Sequence, residues 1–548
     1  MRLLLLLLAC ALSAPAAAPA AWEAPVALSP PGLDVLEARA AAGAGRLAAT
    51  WTTQDAAGAR RQWLSVATPD GPGAPLELGP ARGDGAVAVD RQTGDVVAAW
   101  ADWDGDVHAA VVPAGTAEPG PAAVLGTTAG PVAVAAGAGR VTVAWVARAA
   151  EGLQVRAVRS VGGAGFDPGA PATAVAPPFA QGGRDGDRPL ELLAAAQPAG
   201  GALLAWTAGG EGRDAVALRS ALLPAAGDPA EPQTVSDPAR SASGAALAAD
   251  SAGHAVLAWV DAPAGWFTGR VVRAVRAPLG RFDAPVALGA DAGATLGRFA
   301  RNPAVAVDVA PAGAAAVAWN RADDAGQHSF AGGPGVVVRG SAHTGAFGAP
   351  EPVPGIPITG HGAAVARDDA GRALVGLAGG SFTGAAAAVA RDGEPPQGAA
   401  ALECPGTWAA PVGAAWGPDG EAAVLWRHDH PARDVRALLL SRSAPGPDEP
   451  PCPRLSGTIV TRPAVPRVGQ EVLVDARAAV DPEASQVRAS WRVDPGPDDH
   501  LIGGGTSTGD EPLLRHTFTT PGPHVVDLDL EYQSRRGTGS FTGTGTTV

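Results

Sequence analysis

Several residue types that carry charge or chemistry are scarce in this sequence. Lysine is absent, and the 548 residues include three cysteines, one methionine and one tyrosine. The formal net charge is −14, and no basic cluster interrupts it. Because proteins that bind nucleic acid present a basic patch, this composition excludes a nucleic-acid partner. Beyond the N-terminal segment, no stretch offers the roughly 18 apolar residues of a spanning helix, which excludes a transmembrane segment in the mature chain.

The N-terminal segment has the features of a secretory signal. Arg2 provides the positive start, an apolar stretch begins at Leu3, and small residues follow as far as Ala20. We therefore expect residues 1–20 to be a signal peptide, and the mature protein to be secreted, extracellular or on the cell surface, and monomeric. The alternative is lipidation of Cys10, since Leu7-Leu8-Ala9-Cys10 is similar to a lipobox.

The two other cysteines are Cys404 and Cys452. In an oxidising compartment a single pair predicts one disulfide, and two unpaired thiols are the alternative. Two cysteines by themselves do not make a zinc site.

An internal repeat is the strongest signal in the chain. A turn glycine precedes a tryptophan by six residues in seven copies, and an eighth copy pairs Gly371 with Leu377. The glycine supplies the positive φ of a tight hairpin, and the runs on either side have strand length. The second run is apolar on both faces, so we expect it to be buried on both sides and its tryptophan to fill the core. The repeat tryptophans are Trp51, Trp100, Trp145, Trp206, Trp259, Trp319 and Trp426.

The rest of each repeat predicts two outer strands. A half-polar third strand follows the hairpin, and a fourth element begins with an aromatic residue, two further residues and proline, as in Phe282-Asp-Ala-Pro285. The segments Phe347–Pro350 and Trp408–Pro411 match this fourth element. Four strands per repeat predict a closed β-propeller over residues 21–444, with about eight blades, and seven as the alternative.

The two ends of the repeat region predict a seam. The segment from Trp22 to Leu28 is a fourth element with no blade before it, whereas the last hairpin, around Trp426, has none after it. Pairing the two completes one blade, hides two sheet edges and closes the ring.

The C-terminal part has a different pattern. Residues 445–456 form a Pro-rich linker, and residues 457–548 contain six or seven short strands with turns between them, which is typical of an immunoglobulin-like β-sandwich. The motifs are Gly469-x-x-Val472-x-Val-Asp475, Asp481-Pro, Trp491-x-Val-Asp494, His516-Thr-Phe518 and Pro521-Gly-x-x-Val525-Val-x-Leu528. These residues resemble the polycystic kidney disease (PKD) domain family, which implies an extracellular spacer or interaction module.

Candidate chemistry is sparse. Asp102, Asp104 and Asp106 surround a glycine and form a weak candidate for calcium, with an acidic turn as the alternative. His428 and His430 would share one face of a strand, but no third metal ligand is evident. The sequence contains no recognisable nucleophile–base pair, so it predicts no catalytic residues and no cofactor other than possible calcium.

These observations favour a non-enzymatic binding or scaffold protein whose propeller face presents loops to an extracellular protein or carbohydrate. The alternative is an extracellular polysaccharide-active enzyme with catalytic residues in irregular propeller loops.

Overall fold

The structure is a computed structural model, and its described part is an all-β chain with a short 3₁₀ turn at Pro198–Gly200. Within residues 21–444 the described part omits positions 24, 31–32, 56, 69–70, 117, 161–164, 168–170, 182–189, 211–214, 265–267, 294–304, 323–331, 355–361, 379–384, 398, 403–407, 418–419 and 431–434. Beyond Ala444 it comprises residues 460–462, 467–475, 484–493, 504–507, 513–517, 526–534 and 537–545.

The first half of the chain forms four antiparallel units, preceded by two short strands, β1 (Ala21–Trp22) and β2 (Val26–Ala27). Unit 1 contains β3 (Asp34–Gly43), β4 (Arg46–Gln54), β5 (Arg60–Thr68), β6 (Gly71–Pro72) and β7 (Leu76–Pro80). Unit 2 contains β8 (Gly83–Val89), β9 (Val96–Ala101), β10 (Asp106–Val112) and β11 (Ala123–Thr127). Unit 3 contains β12 (Val132–Gly137), β13 (Arg140–Ala149), β14 (Gly152–Arg159) and β15 (Thr173–Ala174). Unit 4 contains β16 (Leu192–Gln197), β17 (Gly201–Gly209), β18 (Val216–Leu223) and β19 (Gln233–Thr234).

Four further units follow in the same order of strands. Unit 5 contains β20 (Arg240–Ala249), β21 (Ala255–Pro263), β22 (Thr268–Arg276) and β23 (Val286–Gly293). Unit 6 contains β24 (Val305–Val309), β25 (Ala314–Ala322), β26 (Gly332–Ser341) and β27 (Glu351–Pro352). Unit 7 contains β28 (Ala363–Arg367), β29 (Arg372–Ala378), β30 (Ala385–Arg391) and β31 (Ala400–Ala401). Unit 8 contains β32 (Trp408–Trp416), β33 (Ala422–His430) and β34 (Val435–Ala444).

The predicted hairpin is present in every unit. All eight repeat glycines have φ between 70° and 94°, a range that favours glycine over residues with a Cβ atom. They are Gly45, Gly94, Gly139, Gly200, Gly253, Gly313, Gly371 and Gly420.

The repeat tryptophans fill the space between successive units. All seven are at most 2% exposed, and Leu377 in the eighth copy is 1% exposed. A glycine in the fourth strand of the preceding unit makes room for the ring in two places. A Cβ atom at Gly126 would lie 2.8 Å from Trp145, and one at Gly289 would lie 2.9 Å from Trp319. These glycines belong to the packing scheme, although the sequence pattern did not single them out.

Successive units pack against one another through their first strands. The first strand of each unit contacts the first strand of the next, and β32 of unit 8 contacts β3 of unit 1. This stacking of consecutive antiparallel units, most of them of four strands, is the blade arrangement of a β-propeller. Units 4 to 6 are also joined into one 12-stranded sheet by single pairs between β18 and β20 and between β23 and β25.

The N-terminal strands pair with unit 8, as predicted for the seam. Trp22 in β1 is opposite Ser443, and Val26 in β2 is opposite Leu440, both in β34. The Ser29 hydroxyl accepts the backbone N–H of Leu438 at 3.0 Å. The segment from Trp22 to Leu28 therefore supplies the outer strand of the last unit.

The prediction for Trp408–Pro411 was wrong. This segment is the start of β32, a first strand that pairs with β33, and it is not a fourth strand. The ladder shifts register between Pro411 and Gly413, and such an irregularity tolerates a residue without an N–H. The fourth strand of unit 7 is β31, which pairs with β30.

The C-terminal region forms two sheets in its described part. One has the order β35 (Val460–Arg462), β36 (Glu471–Asp475) and β39 (Leu513–Thr517). The other has the order β38 (Gly504–Ser507), β37 (Ala484–Val493), β40 (Val526–Ser534) and β41 (Gly537–Gly545).

Candidate functional site: an arginine-lined cleft

Two sets of turns lie on one side of the repeated units. Because neighbouring strands run antiparallel, the connection from the first to the second strand and the connection from the third to the fourth end on the same side. We call this side the hairpin side. Its chemistry is concentrated where unit 6 meets units 5 and 7.

Between units 6 and 7 the hairpin side contains an open cleft of about 550 Å³. Two arginines and two carboxylates supply its charge, and small residues form the remainder of the described lining. The lining residues are Ala312, Gly313, Ala314, Arg339, Gly340, Ser341, Glu351, Arg367, Asp392 and Gly393.

Arg339 projects from β26 and is held by three acceptor oxygens from two residues. Its Nη2 atom lies 2.7 and 2.6 Å from the two carboxylate oxygens of Glu351, and it also donates to the Glu394 carbonyl oxygen at 2.7 Å. Its Nη1 atom has no hydrogen-bond acceptor among the described residues and lies 3.9 Å from an Asp392 oxygen. One end of the guanidinium is therefore anchored, and the other has unused donors.

Arg367 is the last residue of β28, and its side chain is 1% exposed. Its Nη2 atom donates to Asp392, whereas Nε and Nη1 lack an acceptor in the described part of the chain. Its backbone N–H donates to Asp308 at 2.8 Å. The same carboxylate pairs at 3.1 Å with Arg91 from unit 2. The strand end that carries Arg367 is therefore anchored by its backbone.

Three nitrogens of these two guanidinium groups, Nη1 of Arg339 and Nε and Nη1 of Arg367, are buried and lack an acceptor among the described residues. A buried charged donor without an acceptor costs free energy, and an incoming oxygen acceptor recovers it. Guanidinium groups match planar carboxylates and tetrahedral oxyanions, often through two parallel hydrogen bonds. Glu351 and Asp392 offset the two positive charges, so the cleft carries no strong net charge.

A second cluster lies on the same side, where unit 5 meets unit 6. Asp250, His254 and His343 bring three possible metal-ligand atoms within 4.8 Å of one another. An Asp250 oxygen lies 3.0 Å from His254 Nδ1 and 2.6 Å from His343 Nε2. No sequence pattern indicated this cluster or the two arginines. His254 directly follows a repeat glycine, but its partner His343 is 89 positions away and is brought close only by the packing of two units.

The weak calcium candidate lies on the opposite side, in the turn between β9 and β10. One Asp102 oxygen accepts the Asp106 backbone N–H at 2.9 Å, and the other lies 2.8 Å from His108 Nε2. Burial alone would raise the pKa of Asp102, but hydrogen bonds from His108 and from the backbone of Asp106 and Asp104 outweigh it and hold this pKa below its ordinary value. One oxygen of Asp102 thus holds the turn and the other contacts His108. Asp104 is exposed, and calcium binding stays a prediction.

The remaining predicted residues are placed as follows. Cys10, Cys404 and Cys452 lie outside the described residues. His428 is half-buried in β33, the strand that ends at His430. No helix in the described part of the chain is long and apolar enough to cross a membrane.

Comparison with known proteins gives distant structural similarities. No family model matches the chain, and no curated protein matches it. The BP39L lectin from Burkholderia pseudomallei is 16% identical, with a TM-score of 0.42, over 66% of this chain and 98% of the lectin. The β-propeller domain of the Trilobed protease from Pyrococcus furiosus is 7% identical, with a TM-score of 0.37, over 67% of this chain and 97% of that domain.

A third similarity is to a neuraminidase-like protein. The subtype N11 neuraminidase-like protein of A/flat-faced bat/Peru/033/2010 is 8% identical, with a TM-score of 0.34, over 78% of this chain and 96% of that chain. Similarities this distant assign neither a ligand nor an activity to the present chain.

Proposed function

We propose that this protein is an extracellular, non-enzymatic binding protein that recognises an acidic carbohydrate in the cleft between units 6 and 7. The observation that carries the proposal is the pair of arginines that line the cleft, Arg339 and Arg367. Buried nitrogens of both lack an acceptor among the described residues, and a change of side-chain rotamer would bring their N–H groups to a ligand. A carboxylate of a sugar acid accepts such hydrogen bonds in pairs.

The rest of the cleft supports a carbohydrate ligand over a protein ligand. Energetically dominant contacts between proteins usually involve tryptophan, tyrosine or arginine in well-packed, fully desolvated pockets, whereas this cleft is open. The described lining of this cleft contains no aromatic and no large aliphatic residue. An open, polar surface with small residues suits the hydroxyl-rich edge of a sugar.

The proposal includes an architecture. We propose eight blades closed into one ring by β1 and β2, followed by a PKD-like sandwich that acts as a spacer. Pairing of β1 and β2 with β34, together with the contact between β32 and β3, supports the closed ring. Export by residues 1–20 and a Cys404–Cys452 disulfide stay predictions of the sequence.

A binding screen with variants tests the function. The full chain is applied to an array of carboxylated, sulfated and neutral polysaccharides, and each is also assayed for the release of reducing ends. We expect carboxylated chains to bind without hydrolysis. Arg367→Lys keeps the charge but removes the planar fork. The loss of a charge-assisted hydrogen bond, about 1.5–3 kcal/mol, predicts binding weaker by about 10- to 150-fold.

Arg61→Gln is the control, because Arg61 is also ion-paired, to Glu77 at 3.1 Å, but belongs to unit 1. It should bind as the wild type does, and the melting temperature of each variant reports whether it is folded. Equal binding of neutral and carboxylated chains, or unchanged binding by a folded Arg367→Lys, contradicts the proposed ligand. Turnover of any polysaccharide contradicts the non-enzymatic part and favours the enzyme alternative.

A further inference from the structure

Three side chains from two units converge on the hairpin side beside the cleft. Asp250 and His254 belong to the first turn of unit 5, and His343 belongs to the connection between β26 and β27 of unit 6. From this convergence we propose that Asp250, His254 and His343 bind a divalent transition metal, with Zn²⁺ as the best-matched ion. This site goes beyond the proposed carbohydrate binding and does not depend on it.

The carboxylate of Asp250 is fixed before any ion arrives. Its side chain is fully buried, and one oxygen accepts the backbone N–H groups of Ala252 at 2.9 Å and His254 at 2.8 Å. These two hydrogen bonds leave the second oxygen directed at the imidazoles. Metal ligands are usually oriented in this way by hydrogen bonds from the surrounding protein.

Room for the second imidazole is provided by Gly313 in the first turn of unit 6. A Cβ atom at this position would lie 2.3 Å from Nε2 of His343 and 2.5 Å from its Cδ2. At these distances a Cβ atom would overlap the imidazole, so any other residue at this position would displace the His343 ring. The glycine therefore permits the approach of His343 to Asp250, and the two imidazole centroids lie 4.0 Å apart.

The donor set matches zinc. Two imidazole nitrogens and one carboxylate oxygen are a common three-residue set for Zn²⁺, with water as a fourth ligand. Ligand atoms around a tetrahedral zinc with bonds of about 2.0 Å lie about 3.3 Å apart. The oxygen–nitrogen distances of 3.0 and 2.6 Å therefore need to widen by less than about 1 Å. The His343 side chain is 41% exposed, which leaves access for the ion and for water.

The competing interpretation is a hydrogen-bonded network without metal, in which each imidazole donates an N–H to the same oxygen. The matched control is the pair Asp102–His108, which has the same contact at 2.8 Å but a single imidazole. Two ligands bind zinc much more weakly than three, so the second imidazole should distinguish metal binding from a simple hydrogen bond.

Calorimetric titration of the chelator-treated full chain with ZnCl₂ tests the site. We expect one high-affinity Zn²⁺ per chain in the wild type and in His108→Ala. His343→Ala, which changes a partly exposed side chain, should bind at least about 100-fold more weakly, since even the loss of a residue that only orients a ligand costs about 10- to 100-fold. Asp250→Asn keeps an acceptor for the turn but loses the charge, so it should also weaken binding. It provides a second test if His343→Ala does not fold.

Co²⁺ gives an independent readout, because four-coordinate Co²⁺ with nitrogen and oxygen ligands absorbs strongly in the visible range. The absorption should appear in the wild type and in His108→Ala, and disappear in His343→Ala. Absence of a high-affinity Zn²⁺ in the wild type overturns the proposal. So does a Zn²⁺ that binds equally well to His343→Ala and Asp250→Asn, because the ion then lies elsewhere.

Discussion

Asp90 in unit 2 and Asp250 in unit 5 both stand at the start of the first hairpin turn. Their second carboxylate oxygens contact different partners. In each turn one carboxylate oxygen accepts two backbone N–H groups of the turn itself. The second oxygen of Asp90 accepts the backbone N–H of Gly139 in unit 3, at 2.7 Å. The second oxygen of Asp250 meets the two imidazoles of His254 and His343.

Unit 7 adds a third version of this turn. Asp368 accepts the backbone N–H of Arg372 with one oxygen and binds its guanidinium at 2.6 Å with the other. The first oxygen thus maintains the turn in all three units, while the second is free to take a partner. The second oxygen of the turn aspartate can therefore bind a different partner in each unit without disturbing the turn.

Removal of a repeat tryptophan should have the largest effect on the free energy of unfolding. Trp206→Ala removes a side chain that is 1% exposed, and we expect the free energy of unfolding to fall by roughly 3–5 kcal/mol. Trp103→Ala is the control, since this ring is 59% exposed and lies in a turn; its cost should stay within about 0.5 kcal/mol. Urea denaturation measures both. Equal losses would show that burial of the repeat tryptophan does not stabilise the units.

Substitution of Gly313 should have the next largest effect. Comparison with the same substitution at Gly393 separates the cost of positive φ from the clash with His343. Gly313→Ala and Gly393→Ala both place alanine at positive φ, at a cost of roughly 1–2 kcal/mol each. Only the Cβ atom at Gly313 meets His343, since nothing lies within 4 Å of a Cβ atom at Gly393. We expect loss of Zn²⁺ binding in Gly313→Ala alone. Retained Zn²⁺ affinity in Gly313→Ala would show that this glycine does not position His343.

The smallest effect concerns the single-imidazole pair, Asp102 and His108. The pKa of Asp102 is lowered in the folded state, so its contribution is present above the unfolded-state pKa of about 3.9 and is lost as the pH falls through the folded value. His108→Ala removes a hydrogen bond that lowers this pKa. The unfolding free energies of the wild type and of His108→Ala, measured from about pH 5 downward, should therefore converge. A constant difference would contradict the role given to His108.

The sequence predicted the parts of the fold that depend on local spacing. The interval from Gly253 to Trp259 fixes a turn and a doubly buried strand within one hairpin, and the segment from Trp22 to Leu28 has the pattern of a fourth strand wherever it pairs. Local sequence patterns were therefore sufficient to predict the hairpins and the pairing of the N-terminal strands. They misplaced Trp408–Pro411, because an aromatic residue followed by proline does not specify which strand of a unit it begins.

The chemistry was harder to predict, because it is made between units. Arg339 ends near Arg367 only because β26 and β28 belong to units that pack side by side, and His343 reaches Asp250 in the same way. No spacing within a single repeat encodes these distances. By contrast, the sequence did draw attention to Asp102, Asp104 and Asp106, which are close in the chain, but both oxygens of Asp102 are engaged within its own turn and by His108.

Calorimetric binding of a sugar acid and of its methyl ester to the wild-type chain measures whether the cleft recognises a carboxylate. The ester keeps the ring and hydroxyl groups of the ligand and removes only the anionic acceptor. Because unused guanidinium donors of Arg339 and Arg367 carry the proposed recognition, the acid should bind at least about tenfold more tightly than the ester. Equal affinities for the two ligands, or no binding of any carboxylated sugar, would contradict the proposed recognition.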